Sequence, residues 1–326
     1  MAPDSVLADG VIDRLAVDGN RVAYVSCLRV DVWSPALQTD VTVHEHGLVR
    51  GAQPSLCVWD QGGRNFFYSL ALAGGRVAYG ERGGGLTYGW TLATSTLGSA
   101  NGSVLAAGEN SLGSNFPYGV AGTLAGSGSL LVYSFWHTGF TSPTVTEQEI
   151  RRVDEGGCPC PAIASSPGPL VPFDVEGGRI VAAGTNATWI VDAQGKLLLS
   201  IPVSPLAAQL AGSDLVLLLR GEIDDYDAGS GVMRHAWPLP DVPSGAETGD
   251  PNRVAAVPGN GRLVLDDAGR GLVAYVLDEQ VHVLRLSDGE DVTVAPGQLA
   301  RFSDTGLVYA DGARIHLVPF DRLPLR

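Results

Sequence analysis

Short apolar runs, each bounded by glycine, recur along the whole chain. The stretch "GNRVAYV" at Gly19–Val25 returns as "GGRVAYG" at Gly74–Gly80. Five further segments have the same character: Leu130–Ser134, Arg179–Ala183, Asp214–Leu219, Gly271–Val276 and Gly306–Ala310. All are too short for a buried helix and are rich in β-branched, aromatic or small apolar residues, which is typical of a strand buried on both faces. The pattern predicts seven equivalent strands.

Each of these seven segments is flanked by further short strands. A turn of Gly with Asp, Asn or Ser separates it from a preceding strand such as "RLAV" or "SLALA", and a third strand such as "VDVW" or "TWIVD" follows. Turns such as "DAQG" and "SDGE" provide the positive φ of a tight reversal. A fourth strand can be placed in most units, for example "VTVHE" and "DVTVAP". Four antiparallel strands in seven copies predict an all-β fold, a single seven-bladed β-propeller over residues 1–326.

The alternative fold is a β-sandwich, whose strands also recur at short intervals. Seven-fold self-similarity favours the propeller, while the uneven repeat spacing leaves six or eight blades open. The last unit ends after its third strand, "IHLVPF", and a spare segment precedes the first unit. We therefore expect Ser5–Ala8 to close the ring as the outer strand of the last blade, because an open ring would expose unpaired strand edges.

The order of inner strand, Gly turn, "RVAYV"-like strand and "VxVxDxxxG" resembles the bacterial TolB-like and WD-repeat-like propeller families. The resemblance extends over essentially the whole chain. The Gly-His and Trp-Asp pairs of WD repeats do not recur, and "VWD" at Val58–Asp60 is a single occurrence. The resemblance implies a scaffold or binding protein. Propellers also include hydrolases, lyases and quinoproteins, so the fold alone does not give the function.

Charge and hydropathy narrow the possible partners. The formal net charge of −14 argues against nucleic acid and anionic lipid, which are bound by clustered Lys and Arg. No apolar run approaches the ~20 residues of a membrane-spanning helix, and "MAPDSVLADG" lacks the features of a signal peptide. We therefore expect a monomer that neither binds nucleic acid nor inserts into a membrane. It is either cytoplasmic or exported with its leader removed.

The four cysteines bear on the compartment. They are Cys27, Cys57, Cys158 and Cys160. Free thiols in a cytosolic protein are one interpretation. The "GCPCP" stretch lacks the spacing of a zinc site or a thioredoxin motif. We favour two disulfides, Cys27–Cys57 and Cys158–Cys160, and with them an extracytoplasmic, secreted or periplasmic location.

The connections predict which face of the ring is functional. In a four-stranded blade, the first-to-second and third-to-fourth turns lie on one face, here called the turn face. The second-to-third turns and the blade-to-blade connections lie on the other, here called the loop-rich face. The long segments are assigned to the loop-rich face: Gly47–Asn65, Gly108–Tyr118, Phe135–Glu149, Cys158–Val171 and Pro240–Asn252. Insertions on one face of a rigid scaffold favour a binding site there, although neutral drift is the alternative explanation.

Candidate residues follow from this assignment. Aromatic, Arg and carboxylate side chains on one face suit a protein, peptide or carbohydrate ligand. The ligand-binding candidates are Trp136, Phe140, Asn186, Glu222, Asp278 and Asp311, and Glu279 is expected on the same face. The candidates for acid–base catalysis in the central funnel are His137, Glu81, Arg82 and Arg220.

Metal and cofactor chemistry have weaker support in the sequence. His44 and His46 alternate along a predicted strand, so both imidazoles would point to one face and could bind a metal, but no third ligand is evident. No nucleophile elbow or phosphate loop occurs, and we expect no cofactor. The sequence therefore predicts a propeller that binds a ligand or protein partner through its loop-rich face. A lyase or hydrolase with a site in the central funnel is the alternative.

Overall fold

A computed structural model describes the chain over residues 5–45, 67–83, 87–98, 102–111, 121–139, 142–153, 161–168, 170–184, 186–241 and 263–325. Twenty-eight strands form seven separate four-stranded antiparallel sheets. The chain is a seven-bladed β-propeller, as predicted. Each blade runs from an inner strand at the central channel to an outer strand at the rim.

The strands of blades 1 to 4 follow the chain in order. Blade 1 contains β2 (Ile12–Asp18), β3 (Arg21–Ser26), β4 (Arg29–Ser34) and β5 (Thr39–Glu45). Blade 2 contains β6 (Phe67–Ala73), β7 (Arg76–Gly83), β8 (Thr87–Thr96) and β9 (Gly102–Ser111). Blade 3 contains β10 (Ala121–Ser127), β11 (Leu130–Gly139), β12 (Ser142–Arg152) and β13 (Ala162–Ser166). Blade 4 contains β14 (Leu170–Glu176), β15 (Arg179–Gly184), β16 (Thr188–Asp192) and β17 (Leu197–Ile201).

Blades 5 and 6 repeat this order, and blade 7 takes its fourth strand from the N-terminus. Blade 5 contains β18 (Ala207–Ala211), β19 (Asp214–Leu219), β20 (Glu222–Asp227) and β21 (Met233–Pro238). Blade 6 contains β22 (Leu263–Gly269), β23 (Leu272–Leu277), β24 (Gln280–Arg285) and β25 (Asp291–Pro296). Blade 7 contains β26 (Leu299–Phe302), β27 (Gly306–Asp311), β28 (Arg314–Pro319) and β1 (Ser5–Leu7).

Ring closure occurs where the sequence predicts it. β1 pairs antiparallel with β28, with Ser5 opposite His316 and Leu7 opposite Arg314. The backbone N–H of Ala8 donates to the carbonyl of Ala313 at 2.8 Å and ends the pairing. Val6 is half-buried and packs on the cluster between blades 7 and 1. The first strand of the chain therefore completes the last blade.

The hydrophobic core is divided among the seven seams between blades. Each seam has its own cluster, built from the facing sides of two neighbouring sheets. The second strands are covered on both sides. In β3, for example, Val22, Ala23, Tyr24 and Val25 are each at most 1% exposed. This burial explains why the "RVAYV"-like segments are apolar without alternation.

The arginine of the repeated stretch also has a structural role at the seams. On the turn face, the Arg76 guanidinium donates to the carbonyl of Ser129 in blade 3 at 3.0 Å. Arg179 donates to the carbonyl of Gly212 in blade 5 at 2.6 Å. Both arginines open the second strand of their blade and reach the first turn of the next one. The repetition of "GGR" is therefore architectural.

Candidate functional site at the loop-rich face

Blades 2 and 3 extend beyond the rest of the ring at the loop-rich face. Strands β7, β8, β9, β11 and β12 are 8 to 11 residues long, whereas the second, third and fourth strands of blades 4 to 6 have 5 or 6. In blade 2 the pairing continues past the start of the inner strand, with Gly83 opposite Gly89 and Thr87 opposite Ser111. The extra residues lie where the second-to-third turns do, so they project from this face.

The projection of blade 3 corrects one prediction. Phe135–Glu149 was expected to be a long irregular segment, but most of it is a hairpin formed by β11 and β12. Trp136 pairs with Gln148, His137 with Glu147 and Gly139 with Ser142. β13 pairs only as far as Gln148, so the hairpin continues beyond its neighbouring outer strand. The prediction failed because Ser, Thr and Pro at the tip suggested a loop, while the cross-strand pairing continues through them.

A second correction concerns Cys158–Val171. This segment was assigned to the connection after blade 3, but it contains the outer strand β13. Along the chain, Cys158 and Cys160 therefore precede the outer strand of blade 3 and do not follow the blade. Gly108–Ser111 likewise belongs to β9 and not to a connection. The segments 46–66, 112–120 and 242–262, which include His46 and Cys57, lie outside the described residues.

The clearest side-chain contact at the loop-rich face joins blades 1 and 2. His44 Nε2, on the outer strand β5, lies 2.7 Å from Glu81 Oε2 on β7. Both side chains are largely enclosed, with exposures of 29% for His44 and 19% for Glu81. The contact requires the imidazole proton on Nε2, because an ionised carboxylate only accepts. A partly desolvated pair of this kind is stronger than an exposed one.

Aromatic rings hold the imidazole in place. The His44 ring stacks on Tyr79 with centroids 4.5 Å apart and meets Phe67 edge-on at 5.9 Å. Phe67 opens the inner strand of blade 2, and Tyr79 is the tyrosine of the repeated "RVAYG". His44, a weak candidate for a metal ligand, therefore contacts Glu81, one of the candidates for acid–base catalysis. Within the described residues no three His, Cys, Asp or Glu side chains group in a way that could hold a metal ion.

The other predicted residues are distributed around the face. Asn186, Arg220, Asp278 and Asp311 lie in or beside the second-to-third turns of blades 4 to 7 and are exposed, and Glu222 is half-buried at the start of β20. Asp278 and Glu279 both have positive φ, +50° and +61°, a conformation that is uncommon for residues other than glycine. The backbone of Arg82, Trp136 and His137 lies in the projecting strands, while Phe140 lies outside the described residues. The assignment of these residues to a site stays a prediction.

Sequence reasoning missed a group of acidic side chains at the central channel. Asp174 of blade 4, Asp266 and Asp267 of blade 6 and Arg301 of blade 7 lie close enough to influence one another. Burial and, to a smaller extent, the neighbouring Asp267 together raise the pKa of Asp174 to about 7, against the opposing backbone hydrogen bonds and the charge of Arg301. Burial also raises the pKa of Asp266 and of Asp267 to about 6, and Arg301 opposes both shifts.

These carboxylates connect the blades. Asp174 Oδ2 accepts from the N–H of Leu210 at 2.9 Å, Asp266 Oδ2 from Ala300 at 2.9 Å and Asp267 Oδ2 from Phe302 at 2.7 Å. The three donors lie on the inner strands of the following blades, whose channel side has no further strand to pair with. Carboxylates thus satisfy backbone groups that would otherwise be unpaired. An acidic residue inside an apolar strand, as in "PFDVE" and "LVLDDAG", was the available signal.

Comparisons with known proteins identify the fold and no closer relationship. No protein-family model matches the chain, and no curated protein matches its sequence. A chain in the crystal structure of the Mitotic Checkpoint Complex superposes with a TM-score of 0.58 at 13% identity, covering 97% of this chain and 91% of that chain. The β-propeller domain of Myceliophteria thermophila Cps50 (Swd1) gives 0.55 at 10% identity, with coverages of 97% and 98%.

A third solved structure, Saccharomyces cerevisiae Sqt1, gives a TM-score of 0.50 at 9% identity and is covered completely in both directions. These structures are WD40 β-propellers. At such identities the likeness shows the fold alone. No helix in the described part of the chain is long and apolar enough to cross a membrane.

Proposed function

We propose that this protein is an interaction scaffold that binds a protein partner through its loop-rich face. The observation that carries the proposal is the projection of blades 2 and 3 beyond an otherwise regular ring. Extra strand length of this kind enlarges the surface available to a partner. The likeness to WD40 propellers supports a protein partner, and a peptide or carbohydrate ligand stays an open prediction. Membership of the bacterial TolB-like type also stays a prediction.

An extracytoplasmic location belongs to this proposal. Cys27 is disulfide-bonded, and its partner must be one of the three cysteines outside the described residues. Disulfides form and persist in oxidising compartments, which supports export from the cytoplasm.

Site-specific photo-crosslinking tests the proposed face. A photo-reactive amino acid is placed at Asn186 on the loop-rich face and, as a matched control, at Gln194 in the same blade. Both positions are exposed, and Gln194 lies in the third-to-fourth turn on the opposite face. Irradiation in cells of the source organism is expected to give a protein adduct from Asn186 and none from Gln194. Adducts from Gln194 alone, or from neither position, would contradict the proposal.

The alternative function is an enzyme, and the contact between His44 and Glu81 is the observation that favours it. A histidine held against a carboxylate is a common arrangement for proton transfer. The pair lies on the seam between an outer strand and a second strand, whereas the prediction placed the chemistry in the central funnel. Glu81→Gln in a screen of hydrolase and lyase substrates tests this alternative. Activity that is lost in the variant while the fold persists would establish it.

A further inference from the structure

We propose that the partner contributes an extended, basic segment that pairs with the outer edge of β9 and becomes a fifth strand of blade 2. The proposal rests on the proposed function and names how the partner would be held. In the described chain β9 pairs with β8 alone, and it forms the rim edge of its sheet. An outer edge presents a row of backbone donors and acceptors that an incoming strand can pair with.

Length distinguishes this edge from the other six. β9 has 10 residues, against 7 in β5, 6 in β21 and β25, 5 in β13 and β17, and 3 in β1. Its last residues pair with the projecting part of β8. The edge therefore continues from the rim up to the loop-rich face, where the partner is proposed to bind.

Composition distinguishes β9 from the outer strands of blades 1, 5 and 6, whereas β13 and β17 also lack charged residues and proline but are half as long. Proteins protect outer edges with charged residues and proline. The outer strands of blades 1, 5 and 6 follow this rule with Asp, Glu, Arg, His or Pro in short sequences. β9 reads "GSVLAAGENS", with a single charged residue, Glu109, and no proline. Six of its ten residues are the small residues Gly, Ala or Ser.

Another blade of this molecule is already completed by a strand from a distant part of the chain. β1 completes blade 7 from the opposite end of the chain, and it does so with three paired residues. A segment that is distant in sequence can therefore complete the outer edge of a blade in this ring. The edge of β9 offers more than three times that length.

Charge selects the kind of segment. The chain carries a net charge of −14, so a second copy of it would be repelled while a basic segment would be attracted. Gly102, Ser103 and Val104 are exposed at the start of the edge, with Val104 at 60%. A partner strand with apolar residues opposite Val104 and basic residues elsewhere fits both features. We therefore infer a basic, β-branched segment of another protein.

A random decapeptide library displayed on phage, panned against the full chain, supplies the probe. Selected peptides are expected to be basic and rich in β-branched residues. They should slow amide hydrogen exchange in residues 102–111 and leave exchange in β17 and β21 unchanged. Val104→Lys should weaken their binding about tenfold through like-charge repulsion. Leu198→Lys, at a position on β17 that is 45% exposed, should leave binding unchanged.

Three outcomes would overturn the inference: a library that yields no binder, peptides that protect a segment other than β9, and equal weakening in both variants. Photo-adducts from Asn186 combined with any of these outcomes would leave the proposed function standing and remove only the strand addition. Loss of those adducts as well would remove both.

Discussion

His44 Nε2 lies 2.7 Å from Glu81 Oε2, so the outer strand of blade 1 is tied to the second strand of blade 2 at the loop-rich face. We predict that a double-mutant cycle with His44→Gln and Glu81→Gln gives a coupling free energy of about 1 kcal/mol in urea unfolding, because the pair is partly desolvated.

The pair of Arg29 and Glu45 is the matched control. It is close by in blade 1, with Arg29 Nε 3.1 Å from Glu45 Oε1, and its side chains are 37% and 46% exposed. An exposed pair of this kind contributes about 0.5 kcal/mol or less. If the coupling free energy between His44 and Glu81 does not exceed that between Arg29 and Glu45, the seam between blades 1 and 2 does not depend on the contact.

On the turn face, Asp18 connects three blades. Its carboxylate accepts from the N–H of Gly74 in blade 2 at 2.9 Å and from the N–H of Gly128 in blade 3 at 2.8 Å. Gly74 and Gly128 both have positive φ, +57° and +58°. A Cβ at Gly74 would lie 2.7 Å from the carbonyl oxygen of Gly128, whereas a Cβ at Gly128 would meet open space. We predict that Gly128→Ala costs about 1 kcal/mol from the positive φ alone.

Gly74→Ala should cost about 2 kcal/mol more than Gly128→Ala, because a Cβ at that position also forces two backbones apart. Urea unfolding of the two variants measures the difference directly. Equal losses would show that the contact between the two turns can relax without cost.

The seven-fold pattern of blades was predictable because it depends on local features. Gly-rich turns and short apolar strands each depend on a few neighbouring residues, and repetition made the count visible. Ring closure was also predictable, since the last repeat lacked its fourth strand and a spare strand preceded Ile12. The site was less predictable, because it depends on pairing across the chain. The contact between His44 and Glu81 joins positions that no spacing rule connects, and the hydrogen bond to Asp174 comes from a strand of the next blade.

Val6 tests the closure of the ring. It is half-buried against the seam of blades 7 and 1, while its neighbour Leu7 is 66% exposed. We predict that Val6→Asp lowers the free energy of unfolding by about 2 kcal/mol, because it places a charge against an apolar cluster. Leu7→Asp should change it by less than about 0.5 kcal/mol. Thermal and urea unfolding of both variants provide the comparison, and equal effects would mean that β1 is not needed to hold the ring.

Cys27 lies in the second-to-third turn of blade 1 with φ of +56° and is disulfide-bonded. We predict that Cys57 is its partner and that Cys158 pairs with Cys160. Non-reducing peptide mapping by mass spectrometry identifies the linked peptides. A linkage from Cys27 to Cys158 or Cys160 would contradict the prediction and would join blade 1 to the connection between the third and fourth strands of blade 3.

The channel carboxylates predict how stability depends on pH. In the folded chain the pKa of Asp174 is raised to about 7, and those of Asp13, Asp266 and Asp267 are raised to about 6, from an ordinary value of 3.8. Between about pH 4 and pH 7 the folded state therefore holds protons that the unfolded state has released. The stability that these four protonated carboxyl groups contribute is fully present below pH 4. It falls as the pH rises from 4 to 7 and is lost above pH 7.

Asp174→Asn removes one of these titrations and keeps an oxygen that can accept from Leu210. Each titrating group contributes at most about 1.4 kcal/mol per pH unit to the slope, so the variant should show a shallower fall between pH 4 and pH 7. Asp227→Asn is the control. Hydrogen bonds from Ser230 lower the pKa of Asp227 to about 2, so its contribution is lost only as the pH falls from about 4 through 2, outside this window. Two results would show that the channel carboxylates are ionised in the folded ring between pH 4 and pH 7. One is a wild-type free energy of unfolding that rises over this range. The other is a pH dependence of the free energy of unfolding that is equally steep in Asp174→Asn and Asp227→Asn.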